Sequence, residues 1–344
     1  KKLSIARIQG RHHDILTRAI SNVLSSPVAE ITYGQIIDGL PLSSVVLDTH
    51  LEPVCPEHPL LDEHLELSTD VLERVKQLRA SLDPDILQID STVSKNTSLI
   101  IHPFQAAYAY QAATPGSRAF KTRLIELVAR AVHQIAVWLF KQEPMRYKDD
   151  CLMSWRPDKD ALEWSYRRGF PPTFFRHPWY IDYDQYPEGV ADGVGYWAEA
   201  RILGGVVLFD RRGPDSSPDV ELDAVYFHSD NREVTYRIYR LLDEQKQQLI
   251  QFLLSEITPP SSCPLPIHGD MDNHKRIDPE EPIKDTGIYR DKRERRPPDE
   301  DEGDMRLRDV VDDFNYVSRQ EFSEAHYRAT VMRKRRWRGE HLGW

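Results

Sequence analysis

Between positions 118 and 141 the sequence reads RAFKTRLIELVARAVHQIAVWLFK, and this stretch limits the possible folds more than any other. Phe120, Leu124, Leu127, Val128, Ala131, Ile135, Leu139 and Phe140 cover a broad helical face at steps of mainly three and four. Thr114, Pro115, Gly116 and Ser117 supply a turn and a capping hydroxyl before it, and Pro144 stops it. A helix with so wide an apolar face has to lie inside a core that the rest of the chain builds around it. A membrane span is not supported: Glu126, Arg130, His133 and Gln134 interrupt the longest apolar region, residues 124 to 140, and no run of about 18 apolar residues exists.

Helical patterning dominates up to residue 142. Apolar residues at 5, 8, 15, 16, 19, 20, 23 and 24 predict a helix that ends at Ser25, Ser26 and Pro27. Residues 31 to 66 are broken by Gly34, Gly39, Pro41, Pro53, Pro56 and Pro59, which predicts turns with a short strand at 44 to 47. A helix follows over 69 to 82. From Gly195 the pattern changes: GYWAEARIL, VVLFDRR, DAVYFHS and VTYRIYRLL are rich in β-branched and aromatic residues and separated by turn residues, as in an antiparallel meander. Residues 243 to 256 then read as an amphipathic helix with Leu249, Ile250, Leu253 and Leu254 inward.

The expected class is therefore α+β, with a mostly helical N-terminal part, an antiparallel β-meander, a packing helix and a polar C-terminal extension. The chain of 344 residues divides into a single body, 1–258, a polar linker, 259–308, and a basic C-terminal helix, 309–344. Within the body, 1–142 is helical, 143–194 an aromatic connection, and 195–258 the sheet with its helix.

Cys55, Cys151 and Cys263 are odd in number and far apart, which suits a reducing, cytoplasmic compartment. The start, KKLSIARIQGRHHDIL, lacks a secretory apolar region. Cys55, His58 and His64, with Cys263, His268 and His274, mix thiol and imidazole at short spacing, but neither group has finger or ribbon spacing, so no metal and no cofactor is expected. IHGDMDNHK, residues 267 to 275, begins like the HGDxxxxN signature of aminoglycoside-type phosphotransferases. It departs at Lys275, where that signature needs Asn, and no Gly-rich phosphate loop precedes it.

Three groups of residues carry candidate chemistry. Arg123, Glu126, Arg130, His133, Gln134 and Trp138 form a polar stripe on the long helix. Facing a cleft, Glu126 and His133 would do acid–base work while Arg130 orients a carboxylate or phosphate; facing water, the stripe is only the wet side. The segment WYIDYDQYPEGVADGVGYW, residues 179 to 197, concentrates six aromatic rings and four carboxylates with no basic residue. Tyr180, Asp182, Tyr183, Asp184, Glu188, Trp197 and Glu199 would hold a cationic substrate by ion pairing and cation–π contact, or would pack helices onto the sheet. The formal charge is −10, yet RDKRERR and RKRRWR are local basic runs; Arg333, Lys334, Arg335, Arg336 and Arg338 suit RNA phosphates or a solvated tail.

The run GYWAEARILGGVVLFDRR, with AVYFHSD, VTYRIYRLLDEQKQQLIQFLL, DDFN and RKRRWRGE, resembles a family of filamentous-fungal proteins over about the second half of the chain. In size and general character the protein also resembles the fungal arginine-containing cyclodipeptide synthases. That resemblance implies a biosynthetic enzyme of secondary metabolism, an aminoacyl transferase that joins arginine, delivered on transfer RNA, and a second amino acid into a cyclic dipeptide. It carries no catalytic residue onto this chain. Such an enzyme needs a carboxylate-and-ring pocket for the arginyl side chain, a basic surface for aminoacyl-tRNA, and a nucleophile or base. The alternative is a non-catalytic adaptor whose aromatic and acidic surface binds a basic partner. The two differ in whether Glu126 and His133 point toward the aromatic segment.

Overall fold

The computed structural model describes residues 3–50, 54, 56–89, 104–142, 151–156, 171–213, 220–257, 262–279, 283–295 and 318–338. It is an α+β fold with helices α1 (Arg11–Leu24), α2 (Pro27–Asp38), α3 (Ser43–Leu47), α4 (Leu60–Glu63), α5 (Thr69–Ser81), α6 (Phe104–Ala112), α7 (Arg118–Lys141), α8 (Cys151–Ser154), α9 (Val190–Leu203), α10 (Asp243–Leu254), α11 (Ile283–Thr286) and α12 (Arg319–Trp337). A short pair, β1 (Leu3–Ser4) and β2 (Gln88–Ile89), stands apart from a five-stranded antiparallel sheet. That sheet contains β3 (Val206–Asp210), β4 (Val225–His228), β5 (Ile238–Arg240), β6 (Arg276–Ile277) and β7 (Ile288–Tyr289), in the order β6-β5-β4-β3-β7. Among the described residues no helix is long and apolar enough to cross a membrane.

The expected long helix is α7, and Ser117 Oγ accepts a hydrogen bond from the Phe120 amide at 3.2 Å, which satisfies one of the first free donors of the helix. Leu124, Leu127, Val128, Ala131 and Ile135 are buried among residues of α1, α2, α6 and α9. The first predicted helix is divided: Ile5–Arg7 is one turn of 3-10 helix, and Gly10, at φ 58°, lets the chain turn into α1. Ser26 then caps α2, with Pro27 at its first position. Gly34 does not break α2; Leu67 lies where its side chain would be. The short strand expected at 44 to 47 is the helical turn α3.

The main correction concerns GYWAEARIL, expected as a strand: residues 195 to 203 are the C-terminal part of α9. Twelve of its fourteen residues are buried, so no wet face exists to mark a helical period. Its two glycines permit close approach: a Cβ on Gly193 would lie 2.4 Å from the Tyr183 ring, and one on Gly195 2.6 Å from the His133 ring. Trp197 packs on Phe175, with ring centroids 4.7 Å apart, inside the main core.

Both faces of β3 are covered. Val207 and Phe209 join the helical core, while Val206 and Leu208 join a second cluster built from Tyr180, Tyr186, Tyr196, Tyr226, Ile238 and Ile288. The α9 helix contributes to both, with Trp197 and Ile202 in the first and Tyr196 and Ala200 in the second. The segment from 259 to 308, expected as a linker, supplies both edge strands through β6 and β7. Asn273, Arg290, Glu294 and Arg295 of that segment are buried. Sparse apolar residues misrepresented it, because backbone pairing and ion pairs hold it in place.

Candidate functional site

Two helical stripes face each other at the centre of the molecule. Glu126, Arg130 and His133 lie on one side of α7, and Asp192, Tyr196 and Glu199 recur at steps of four and three along α9. The loop after β7 lies against both and carries Arg290, Asp291 and Arg293. Ten side chains, including Arg130, His133, Asp192, Tyr196, Arg290 and Asp291, line a cleft of about 50 Å³, with Gln134, Pro187 and Arg293 more exposed. At roughly 10–15 Å³ per water, that space takes a few waters or one small oxyanion.

Glu199 is fully buried, and both of its oxygens accept from Arg290 Nη1, at 2.6 and 2.7 Å. Its Oε1 also accepts from the Val207 amide at 2.7 Å, which ties the helix to β3. The Arg290 guanidinium lies 5.4 Å from the centroid of the Tyr196 ring. A carboxylate and a ring therefore do hold a guanidinium, and it is the chain's own.

His133 Nε2 donates to Asp192 Oδ1 at 3.0 Å, its Nδ1 lies 3.8 Å from Glu199 Oε2, and its ring stands edge-on to Tyr196 at 4.6 Å. Burial disfavours the charged ring, but Asp192 and Glu199 outweigh it and raise the imidazole above its ordinary value. Burial likewise opposes ionisation of Glu199, and Arg290 with His133 wins, holding that carboxyl below the usual range. Asp192 Oδ2 accepts from the Glu188 amide at 2.8 Å, which fixes the carboxylate at the cleft wall.

Glu126 takes a different direction from His133. It is 1% exposed and engaged by Arg123, by Arg211 at 2.6 Å and by Arg130 at 3.4 Å. Burial would raise its carboxyl, but the charges of Arg211, Arg130 and Arg123 hold it well below the carboxylate range. Glu126 does not line the cleft, and its position is that of a counter-charge to three arginines. Arg130 spans from Glu126 to Asp291, meeting the two Asp291 oxygens at 3.1 and 3.2 Å. The loop itself is pinned by Glu294, whose Oε2 accepts from the Arg290 and Asp291 amides at 3.0 Å, while Tyr186 donates to the Glu294 carbonyl at 2.8 Å.

The aromatic segment is dispersed among three jobs. Tyr180 is buried, stacks on Tyr196 at 4.5 Å and donates to His228 Nδ1 at 3.2 Å. Tyr183 packs on Gly193, Trp197 is in the main core, and Glu188 pairs with Lys141. The Asp182 amide lies 3.3 Å from the Tyr186 hydroxyl, and Asp184 is exposed. His228 Nε2 donates to the Tyr236 carbonyl at 3.0 Å, and His177 Nε2 to the His228 carbonyl at 3.1 Å. Burial keeps both rings neutral, lowering His177 to about 3 and His228 well below its ordinary value.

The remaining candidates lie elsewhere. Arg333, Lys334, Arg335 and Arg336 belong to the last turns of α12 and Arg338 follows it; Lys334 and Arg338 are exposed. Cys55 lies outside the described residues. His58 packs edge-on against Trp155 and Phe174, and His64 bonds Asp38 and the Pro41 carbonyl. Cys263, His268 and His274 are exposed. Among the described residues no group of three or more His, Cys, Asp or Glu side chains is arranged to hold a metal. In IHGDMDNHK, Asn273 is buried and bonds the Arg240 carbonyl and Gln245, so this turn joins β5 to α10.

Of the residues expected to act together, the structure joins His133, Arg130 and Glu199 around one cleft and leaves Glu126 behind it. Arg290, Asp291, Arg211 and Arg293 complete the constellation. Sequence reasoning placed three of them in a basic run and one in a strand; the usable signal was Glu199, a carboxylate within an apolar stretch that requires a buried cation. No protein-family model, curated protein or solved structure matches this chain.

Proposed function

We propose that the protein is an acid–base enzyme acting on a small anionic substrate, with the Asp192–His133 pair as its proton-transfer group. The observation that carries this reading is the 3.0 Å hydrogen bond between them at the wall of a cleft that Arg130, Arg290 and Arg293 also line. Around it, Arg123, Arg130, Arg211, Arg290 and Arg293 with His133 face four carboxylates, Glu126, Asp192, Glu199 and Asp291, so the local balance favours an added anion. The exchanged proton is held by the pair, whose His133 ring and Asp192 carboxylate are hydrogen-bonded to each other and both line the cleft. Arg293 is exposed at the cleft and serves as the entry contact.

Calorimetric titration with inorganic phosphate in buffers of different ionisation enthalpy tests both halves. Saturable binding that weakens at least about tenfold in Arg293→Ala supports the anion site. Proton uptake on binding that disappears in His133→Gln supports the acid–base half. Absence of binding by folded protein refutes the first, and proton-neutral binding the second.

The narrower form of this proposal is the transfer-RNA-dependent synthase of an arginine-containing cyclic dipeptide, with the basic end of α12 meeting the RNA. It requires the arginyl guanidinium to find a place other than Glu199 and Tyr196, where Arg290 sits. Expression in a bacterial host followed by mass spectrometry of the medium decides it: a cyclic dipeptide containing arginine is expected, and its absence with folded protein defeats the idea. Salt-sensitive binding of bulk transfer RNA, lost on deleting 333–344, is the corresponding result for the basic tail. The adaptor reading rests on Asp184, which is exposed, since Glu199, Asp192 and Glu188 are each engaged within the chain.

A further inference from the structure

The stripe of α7 that walls the cleft continues beyond it. Gln134 lines the cleft, Trp138 follows one turn later, and Lys141 one turn after that bonds Glu188. The segment 186–188 meets both ends of this stripe, with Tyr186 and Pro187 at the cleft and Glu188 at Lys141. Trp138 therefore lies between two points where α7 and that segment touch.

Trp138 is 36% exposed on a helix whose other large apolar side chains are mostly buried. Helical side chains lean toward the N-terminus of their helix, which directs the indole toward the turn of Gln134. The helical rise sets Trp138 about 6 Å along the axis from Gln134 and about 12 Å from Arg130. The Gln134 edge of the cleft thus has an exposed indole one helical turn away, and Arg130 lies one turn further back.

Resting on the anion-site reading above, we propose that the cleft and Trp138 form one two-part site for a phosphate attached to a planar aromatic ring, as in a mononucleotide. The phosphate lies among Arg130, Arg290 and Arg293, and the ring stacks on the Trp138 indole. Stacking on an exposed ring tolerates different bases, because each presents a π face, so the site selects ring-bearing phosphates over bare ones before it selects among rings.

The experiment is calorimetric titration of the full chain with inorganic phosphate, ribose 5-phosphate and adenosine 5′-monophosphate. Wild type, Trp138→Ala and Trp138→Phe are compared. The monophosphate is expected to bind about tenfold more tightly than either ring-free probe, with that advantage lost in Trp138→Ala and largely kept in Trp138→Phe. Phosphate affinity is expected to be equal in all three proteins. Equal binding of the three probes, or a ring advantage unaltered in Trp138→Ala, overturns the ring subsite and leaves the anion site intact. No binding of any probe by the folded wild type overturns both.

Discussion

Replacing Gly195 by Ala tests the site at its tightest contact. A Cβ there would lie 2.6 Å from Cε1 and Nε2 of His133 and 2.7 Å from Cδ2, so it meets the ring face across three atoms. Ordinary carbon contacts lie at about 3.5–4.0 Å, which leaves an overlap of about 1 Å. The ring has little freedom to retreat, because Asp192 holds Nε2 at 3.0 Å, Glu199 stands behind Nδ1 and Tyr196 packs on the edge. Overpacking of this kind costs about 1–3 kcal/mol. Loss of the bond to the Asp192 carboxylate costs about 1.5–3 kcal/mol more. Helix propensity works in the opposite direction, since Ala gains about 1 kcal/mol over Gly inside a helix. The net expectation is a loss of about 1.5–5 kcal/mol, read as a lower urea midpoint with unchanged slope. Gly213→Ala, where a Cβ meets nothing within 4 Å, is the control and is expected within about 0.5 kcal/mol of wild type. In a double-mutant cycle, Gly195→Ala costs little once His133 is Ala. A neutral or stabilising Gly195→Ala in the wild-type background would mean that His133 is not seated on α9, and the proposed proton-transfer pair would fall with it.

Four further outcomes follow from the same geometry. Arg290→Ala leaves Glu199 buried without its main partner and is expected to cost about 3–5 kcal/mol by chemical denaturation, with Arg290→Lys failing to restore it; a loss under about 1 kcal/mol contradicts the pairing. His177 and His228 are fully buried and neutral, so the unfolded chain takes up their protons first. Stability is expected to drop by about 1.4 kcal/mol per group per pH unit as pH falls below about 6.5, and a urea midpoint unchanged between pH 7 and 5 counts against it. His133 has the opposite sign: its contribution is complete below about pH 6.5 and is lost as pH rises through its raised folded value. Tyr180→Phe strands His228 Nδ1 in the core, at a cost of about 1–3 kcal/mol that the same denaturation assay measures.

Periodicity was a sound guide wherever one face of an element met water. The α7 helix, α5 and α10 were legible because polar and apolar positions recur with the right period, and the three central strands, buried nearly throughout, because β-branched and aromatic runs are bounded by turn residues. It failed at α9, where twelve of fourteen residues are buried and the period vanishes, while Tyr196, Trp197 and Ile202 supply the residue types of a strand. It failed again after residue 259, where charge hides burial: Arg290, Glu294 and Arg295 look like surface residues in the sequence, yet each is at most 6% exposed. The candidate site was legible as two halves, a polar stripe and an acidic aromatic segment. Their meeting was not, because the residues that join them come from a basic run about 90 positions further along the chain.

The order of strands also governs how the protein is made. A growing chain presents β3, β4 and β5 first, with both outer strands bare, and neither edge is covered until residues 276 to 289 have emerged. Until then Glu199 has no Arg290, and an unpaired carboxylate stands in the future core. Cutting the chain before residue 276 would therefore yield a sticky, open-edged sheet rather than a smaller working body. Residues 276 to 290 act as a clasp, and the body made before them waits, exposed to mispairing, for that clasp to close.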